Sequence, residues 1–167
     1  MKNKKFGLLI AVFAILTIMS SCSTTRYYIV RHAEKNNCDD CATCNLSNAG
    51  ILRAIALRDT MVKKSIDTIF TSQCLRTQLT AQPTATQLHK TLSKYIQLNS
   101  FIENLKAFDN KNLLIVSHSP EIPMIVSALC GQQITVNEFN RMFIVTKTKF
   151  LGKTTIAFKE TTYGQPN

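Results

Sequence analysis

The stretch YYIVRHAEKNN, residues 27–37, runs a compact apolar strand, Tyr27–Val30, straight into Arg31, His32 and Glu34, and then into polar turn residues. Packing alone gains little from an arginine and a histidine at a strand exit, because both resist burial unless they are partnered. A phosphate site gains a great deal. A guanidinium offers a fork of donors to an oxyanion, and neutral imidazole is a nucleophile near neutral pH.

The residues downstream repeat the arrangement. Residues 36–46 are polar and cysteine-rich, hence a loop, and Ser47 or Asn48 is a good N-cap for a helix reaching about Lys64. Its apolar face is expected to be Ile51, Ala54, Ile55, Met61 and Val62. A second buried strand is expected over Ile66–Thr71, then a helix from about Gln73 to His89, a weaker strand over Tyr95–Leu98 and a short helix over Phe101–Phe108. LLIVS at 113–117 is an apolar strand, followed by a helix from about Pro123 to Cys130 that Gly131 stops. Phe143–Thr146 and Thr155–Phe158 pair across a turn near Gly152. Short apolar strands alternating with helices predict an α/β domain: a three-layer α/β/α sandwich with a mostly parallel central sheet. In such sheets ligands bind beyond the C-terminal ends of the strands. Arg31 and His32 leave the first strand there, Thr71 and Ser72 the second with Arg76 just beyond, and His118 leaves LLIVS. Helix N-termini at the same edge also favour an anion.

The chain has 167 residues, which suits one domain. Residues 1–22 read differently from the rest: Lys2, Lys4 and Lys5, an apolar run from Phe6 to Met19, then Ser20, Ser21 and Cys22. This is the layout of a secretory signal, and Ser20-Ser21-Cys22 resembles the cleavage box of bacterial lipoproteins, with Met19 where leucine is usual. The expected organisation is a lipoprotein signal peptide over 1–21, a lipid site at Cys22, a tether over 22–26 and the working domain over 27–167. The expected location is the bacterial cell envelope, with the domain facing the periplasm or the exterior. The formal charge is +10; loss of residues 1–21 removes three lysines and no acid, leaving +7. That balance suits an anionic substrate or an anionic membrane surface. Nucleic acid is a poor partner, since the lysines are scattered and no aromatic stacking motif accompanies them.

The pattern resembles the histidine phosphatase superfamily, the phosphoglycerate mutase-like fold. IVRHAEK at 29–35, LSNAGILRA at 46–54, IFTSQCLRTQLTAQP at 69–83 and LLIVSHSPEIP at 113–123 look like four of its segments in order. The resemblance implies that His32 is the nucleophile, forming a phosphohistidine that water hydrolyses. It implies that Arg31 and Arg76 clamp the phosphoryl oxygens and that His118 donates to them. No metal or cofactor is required on this reading. His89 has no motif and reads as a solvated residue.

The proton donor is less defined. Where some branches of the family carry an aspartate after the second histidine, this chain has Ser119. Glu34 and Glu121 rank equally as candidates, with Glu103 third. The cysteines of NNCDDCATCN, Cys38, Cys41 and Cys44, suit either a metal or iron–sulfur site or a disulfide-closed loop, and disulfides or free thiols are favoured because no fourth ligand is evident nearby in the loop; Cys74, just past the second strand's exit, could come near the same edge. The pairing is not readable from sequence. Cys130 reads as core.

These readings converge on a phosphoric monoester hydrolase acting on a small phosphorylated substrate, as a monomer or weak dimer. The alternatives are a phosphoglycerate mutase-like phosphotransferase, a non-catalytic phosphate- or ligand-binding lipoprotein, and a redox or metal module built on the cysteines.

Overall fold

A computed structural model describes residues 22–165; the signal segment lies outside the described residues. Six strands form one sheet: β1 (Ser23–Arg31), β2 (Thr68–Thr71), β3 (Leu92–Lys94), β4 (Asn112–Ser117), β5 (Arg141–Phe150) and β6 (Lys153–Thr162). Their order is β3-β2-β4-β1-β5-β6, with the first four mutually parallel and β5 and β6 closing one side as an antiparallel hairpin. Four helices connect them: α1 (Asn48–Met61), α2 (Leu75–Gln87), α3 (Leu98–Ala107) and α4 (Glu121–Cys130).

Strand alternation sorts the two cores. Tyr27, Ile29, Leu113 and Ile115 point to one face and pack under α3 and α4 through Phe101, Leu105, Ile122 and Ile125. Tyr28, Val30, Leu114 and Val116 point to the other and meet Leu57, Met61, Ala81 and Ala85 of α1 and α2. The result is the three-layer sandwich with a mostly parallel sheet. β1 and β4 are covered on both faces, which explains their continuous apolar runs. Each fully buried aliphatic side chain stabilises the fold by about 1.5–3 kcal/mol.

Several boundaries differ from the sequence reading. Residues 23–26 are no tether: they belong to β1, pair with Thr146–Lys149 of β5, and bury Thr25 completely. The third strand is Leu92–Lys94 rather than Tyr95–Leu98, because Tyr95 turns away to stack on Phe101 and Leu98 already opens α3. β5 and β6 are ten residues each, since backbone pairing continues through Thr- and Lys-rich positions that carry no apolar signal. The buried face of α1 is Gly50, Arg53, Ala54, Leu57 and Met61, leaving Ile51 49% exposed. That rotation has a local cause. A Cβ on Gly50 would lie 2.0 Å from the Glu34 carbonyl oxygen, so only glycine lets the helix approach the strand exit so closely. Ser47 caps the helix by accepting from Gly50 N–H at 3.2 Å, and its own N–H donates to the Glu34 carbonyl at 2.9 Å. Gly131 stops α4 in the left-handed conformation, φ 76°.

Candidate active site

The parallel pairing of β1 with β4 sets Arg31 beside Ser117, so His32 and His118 emerge side by side, with His32 N–H donating to the Ser117 carbonyl at 2.9 Å. Their rings stand edge to face, centroids 5.3 Å apart. His32 Nδ1 lies 2.8 Å from the Ala33 carbonyl, an acceptor only, so Nδ1 carries the hydrogen and Nε2 keeps its lone pair. Burial pushes the His32 pKa down to about 4, against the pull of that carbonyl and with help from the charges of His118, Arg76 and Arg31. The imidazole is therefore neutral at pH 7.

Arg76 enters from the first turn of α2, its Nη2 3.4 Å from His118 Nδ1. A guanidinium only donates, so that nitrogen of His118 is the acceptor, and Nε2–H donates to Ser72 Oγ at 2.8 Å. Ser72 passes its hydroxyl hydrogen to Thr77 Oγ1 at 2.9 Å, and Thr77 donates to the Cys74 carbonyl at 2.7 Å. Burial lowers the His118 pKa, Glu121 opposes it, and Arg76 and Arg31 add to it. Arg31 is held from the other side: Nη1 donates to the Asn137 carbonyl at 3.1 Å, and its guanidinium lies 4.0 Å from the Phe139 ring centre. The buried Nε of Arg31, and Nε and Nη1 of Arg76, find no acceptor among the described residues. Buried donors without acceptors are disfavoured in a folded chain unless an outside group meets them. Two half-dry guanidinium groups and two neutral imidazoles thus surround one point, a set matched to a tetrahedral oxyanion.

The four residues Arg31, His32, Arg76 and His118 come together; the candidate donors divide. Arg53 binds Glu34 through both oxygens, with Nε 2.8 Å from each and Nη2 2.6 Å from Oε1. Burial raises the Glu34 carboxyl, but hydrogen bonds from Arg53 and its own backbone and the charges of Arg53 and Arg31 outweigh it, so its pKa lies below the usual value. Glu121 Oε2 accepts from Tyr95 and Ser117 hydroxyls, each at 2.5 Å. Glu103 pairs with Lys106 at 2.8 Å on the exposed side of α3, outside the site.

The cysteine loop resolves into two disulfides, Cys38–Cys44 and Cys41–Cys74. The second joins the loop to the residue before α2, where Leu75 N–H also donates to the Cys41 carbonyl at 2.8 Å. All four cysteines are consumed, so the metal and iron–sulfur reading falls: disulfide sulfurs are not thiolate ligands. Cys130 is half-buried against the α3–α4 core, its thiol near the Val126 carbonyl.

Sequence reasoning missed Arg53, Tyr95, Ser117, Asn137 and Phe139 and gave Ser72 no role. Arg53 had a signal, lying within LSNAGILRA just past the tight Gly50. The others reach the site only through tertiary approach. A groove of about 750 Å³ beside β3 and α3 includes Tyr95 and Phe101 in its wall but none of the four converging residues.

Residues 27–103 match the family model of the histidine phosphatase superfamily (branch 1). The fold is that of the protein histidine phosphatase SixA complexed with tungstate (18% identity, TM-score 0.66, covering 82% of this chain and 96% of that one). It is similar also to phosphoserine phosphatase from Entamoeba histolytica in complex with 3-phosphoglyceric acid (16% identity, TM-score 0.59, 82% and 98%) and to a mycobacterial hydrolase (11% identity, TM-score 0.64, 86% and 100%). No curated relative matches the sequence. Residues 27–103 thus carry the pattern of the histidine phosphatase superfamily, and the fold is the phosphoglycerate mutase-like one.

Proposed function

We propose that this chain is a phosphatase that hydrolyses small phosphomonoesters or other phosphorylated compounds through a phosphohistidine on His32. One observation carries the reading: a bare, neutral His32 Nε2 shares a pocket with guanidinium donors that lack protein acceptors. Nε2 attacks phosphorus, the bond to the leaving group breaks with its electron pair, and Arg31 and Arg76 meet charge spread over the equatorial oxygens. Protonation of His118 on Nδ1 would let it join them as a donor while Nε2–H stays on Ser72. Water then attacks phosphorus, the P–N bond breaks, and inorganic phosphate leaves.

Glu34, fixed on Arg53, serves to hold the strand exit rather than to release a proton. Glu121, beside His118, is the carboxyl left to assist the leaving group. Its Oε2 is already engaged by the Tyr95 and Ser117 hydroxyls, so the best substrates are those whose leaving group needs little protonation. Phosphorylated imidazole and aryl phosphates fit this requirement. The name of the SixA neighbour, a protein histidine phosphatase, agrees with that preference.

His32→Ala is expected to abolish hydrolysis of p-nitrophenyl phosphate while leaving the circular dichroism spectrum unchanged; wild-type turnover in this variant would remove His32 from the mechanism.

We propose further that the chain is a lipoprotein of the cell envelope, attached through Cys22. Cys22 is exposed and unpaired, and two disulfides suit an oxidising compartment. Cells expressing Cys22→Ser should no longer incorporate labelled palmitate into the protein; undiminished labelling would rule the site out.

A further inference from the structure

The sheet has a second edge, opposite the histidines, that the enzymatic reading leaves unused. β1 starts there at Ser23, one residue after Cys22. Because β5 runs antiparallel to β1, Ser23 stands opposite Lys149, and the β5–β6 turn lies at the same end. That turn is Leu151-Gly152, both in the left-handed region at φ 47° and 77°. It lifts apolar side chains into solvent: Phe150 is 47% exposed and Leu151 61%. Nothing in the core requires them there.

Cations line this edge from the turn to β3. Lys63 and Lys64 precede β2, Lys90 precedes β3, Lys111 precedes β4, and Lys149 and Lys153 flank the turn. The parallel topology brings the starts of β1, β2, β3 and β4 to one edge, so these lysines share a face although they are scattered in sequence. Asp67 pairs with Lys111 and Asp109 with Lys149. Lys63, Lys64, Lys90 and Lys153 are exposed.

We infer that this edge is a docking surface for an anionic lipid bilayer, with Phe150 and Leu151 entering the interface and the lysines lying over the headgroups. An exposed apolar tip at one side of an edge lined with lysines has the pattern of an interfacial anchor, and each lysine near an anionic surface strengthens binding by about fivefold. The charge identifies an anionic occupant. The position of Cys22 identifies a membrane, since the apolar run of residues 6–19 ends just before this face. A lipid on Cys22 has almost no slack before β1, so the domain rests on the bilayer through this edge. β1 then spans roughly 26–30 Å from anchor to catalytic edge, holding the histidines up toward solvent.

The chain contains no tryptophan, so one introduced indole reports alone. Phe150→Trp and Ile96→Trp place it at opposite edges, Ile96 being 78% exposed just beyond β3. Both replace exposed side chains, and far-ultraviolet circular dichroism checks the fold. The full-length chain is mixed with vesicles of brominated phosphatidylcholine, with and without phosphatidylglycerol. The expected result is strong quenching and a blue shift at position 150, greater with phosphatidylglycerol and weakened by salt, with none at position 96. Equal quenching at both positions, or none at 150, overturns the surface; quenching at 150 that ignores phosphatidylglycerol overturns the role of the lysines. This surface builds on the anchor at Cys22, yet the two fail separately. Loss of palmitate labelling tests the anchor, and quenching at position 150 in Cys22→Ser tests the surface without it.

Discussion

The two edges of the sheet are both basic, yet they treat their cations in opposite ways. At the edge where β1, β2 and β4 end, Arg31 and Arg76 are drawn partly out of water, with N–H groups that find no acceptor among the described residues. At the edge where those strands begin, Lys63, Lys64 and Lys153 stand in solvent. A hydrated lysine acts through a diffuse field that salt screens within about 8–10 Å. A half-buried guanidinium beside neutral imidazoles acts at contact, where the local dielectric is low and geometry matters. The same division runs through the histidines: His32 is buried at one edge, whereas His89 is exposed at the other, just after α2. Charge sign alone therefore does not mark a site; the burial of that charge does.

The contrast breaks most visibly at Arg76. Arg76→Ala should lower kcat/KM for p-nitrophenyl phosphate by about 10²–10³, the scale of losing a preorganised donor to transition-state charge. A loss under tenfold in steady-state assays would mean that Arg76 does not face the phosphoryl group. The next effect is on pH dependence. On the proposed mechanism His32 works as the free base, and burial puts its pKa at about 4, so protonation removes the nucleophile only below that value. The fall in kcat/KM at acid pH should be centred near 4, about tenfold per unit below it, rather than near the usual histidine value of about 6.5. A profile centred near 6.5 would place His32 in water. The smallest effect belongs to the opposite edge. His89 has φ 52°, which asparagine tolerates, so His89→Asn should leave kcat/KM within about twofold. A large loss there would erase the distinction between the edges.

The candidate catalytic edge was readable because its residues sit at strand exits, where one topological rule converts sequence order into spatial proximity. Arg31, His32, Arg76 and His118 each follow an apolar run or open the next helix, and pairing β1 with β4 does the rest. The hairpin was read short, because Lys147, Thr148 and Thr155 pair through backbone groups and leave no hydrophobic trace. Glu34 shows the other limit. Its position in RHAEK placed it near the site, but its chemistry depends on Arg53, nineteen residues later, reaching back with a bidentate fork. Proximity came from local order, whereas protonation state came from a partner that only the packed helix supplies.

The Cys41–Cys74 bond carries a consequence for how the molecule matures. It closes a segment of 33 residues, and a crosslink of that span stabilises a fold by about 4 kcal/mol in the chain-entropy account. Domains as a whole hold only roughly 5–15 kcal/mol in reserve. A newly made chain among reduced thiols lacks that fraction, and the turn that presents Arg76 is fastened only by hydrogen bonds. The bond thus fastens the cysteine loop to the turn that presents Arg76 with a covalent link that a reduced chain lacks.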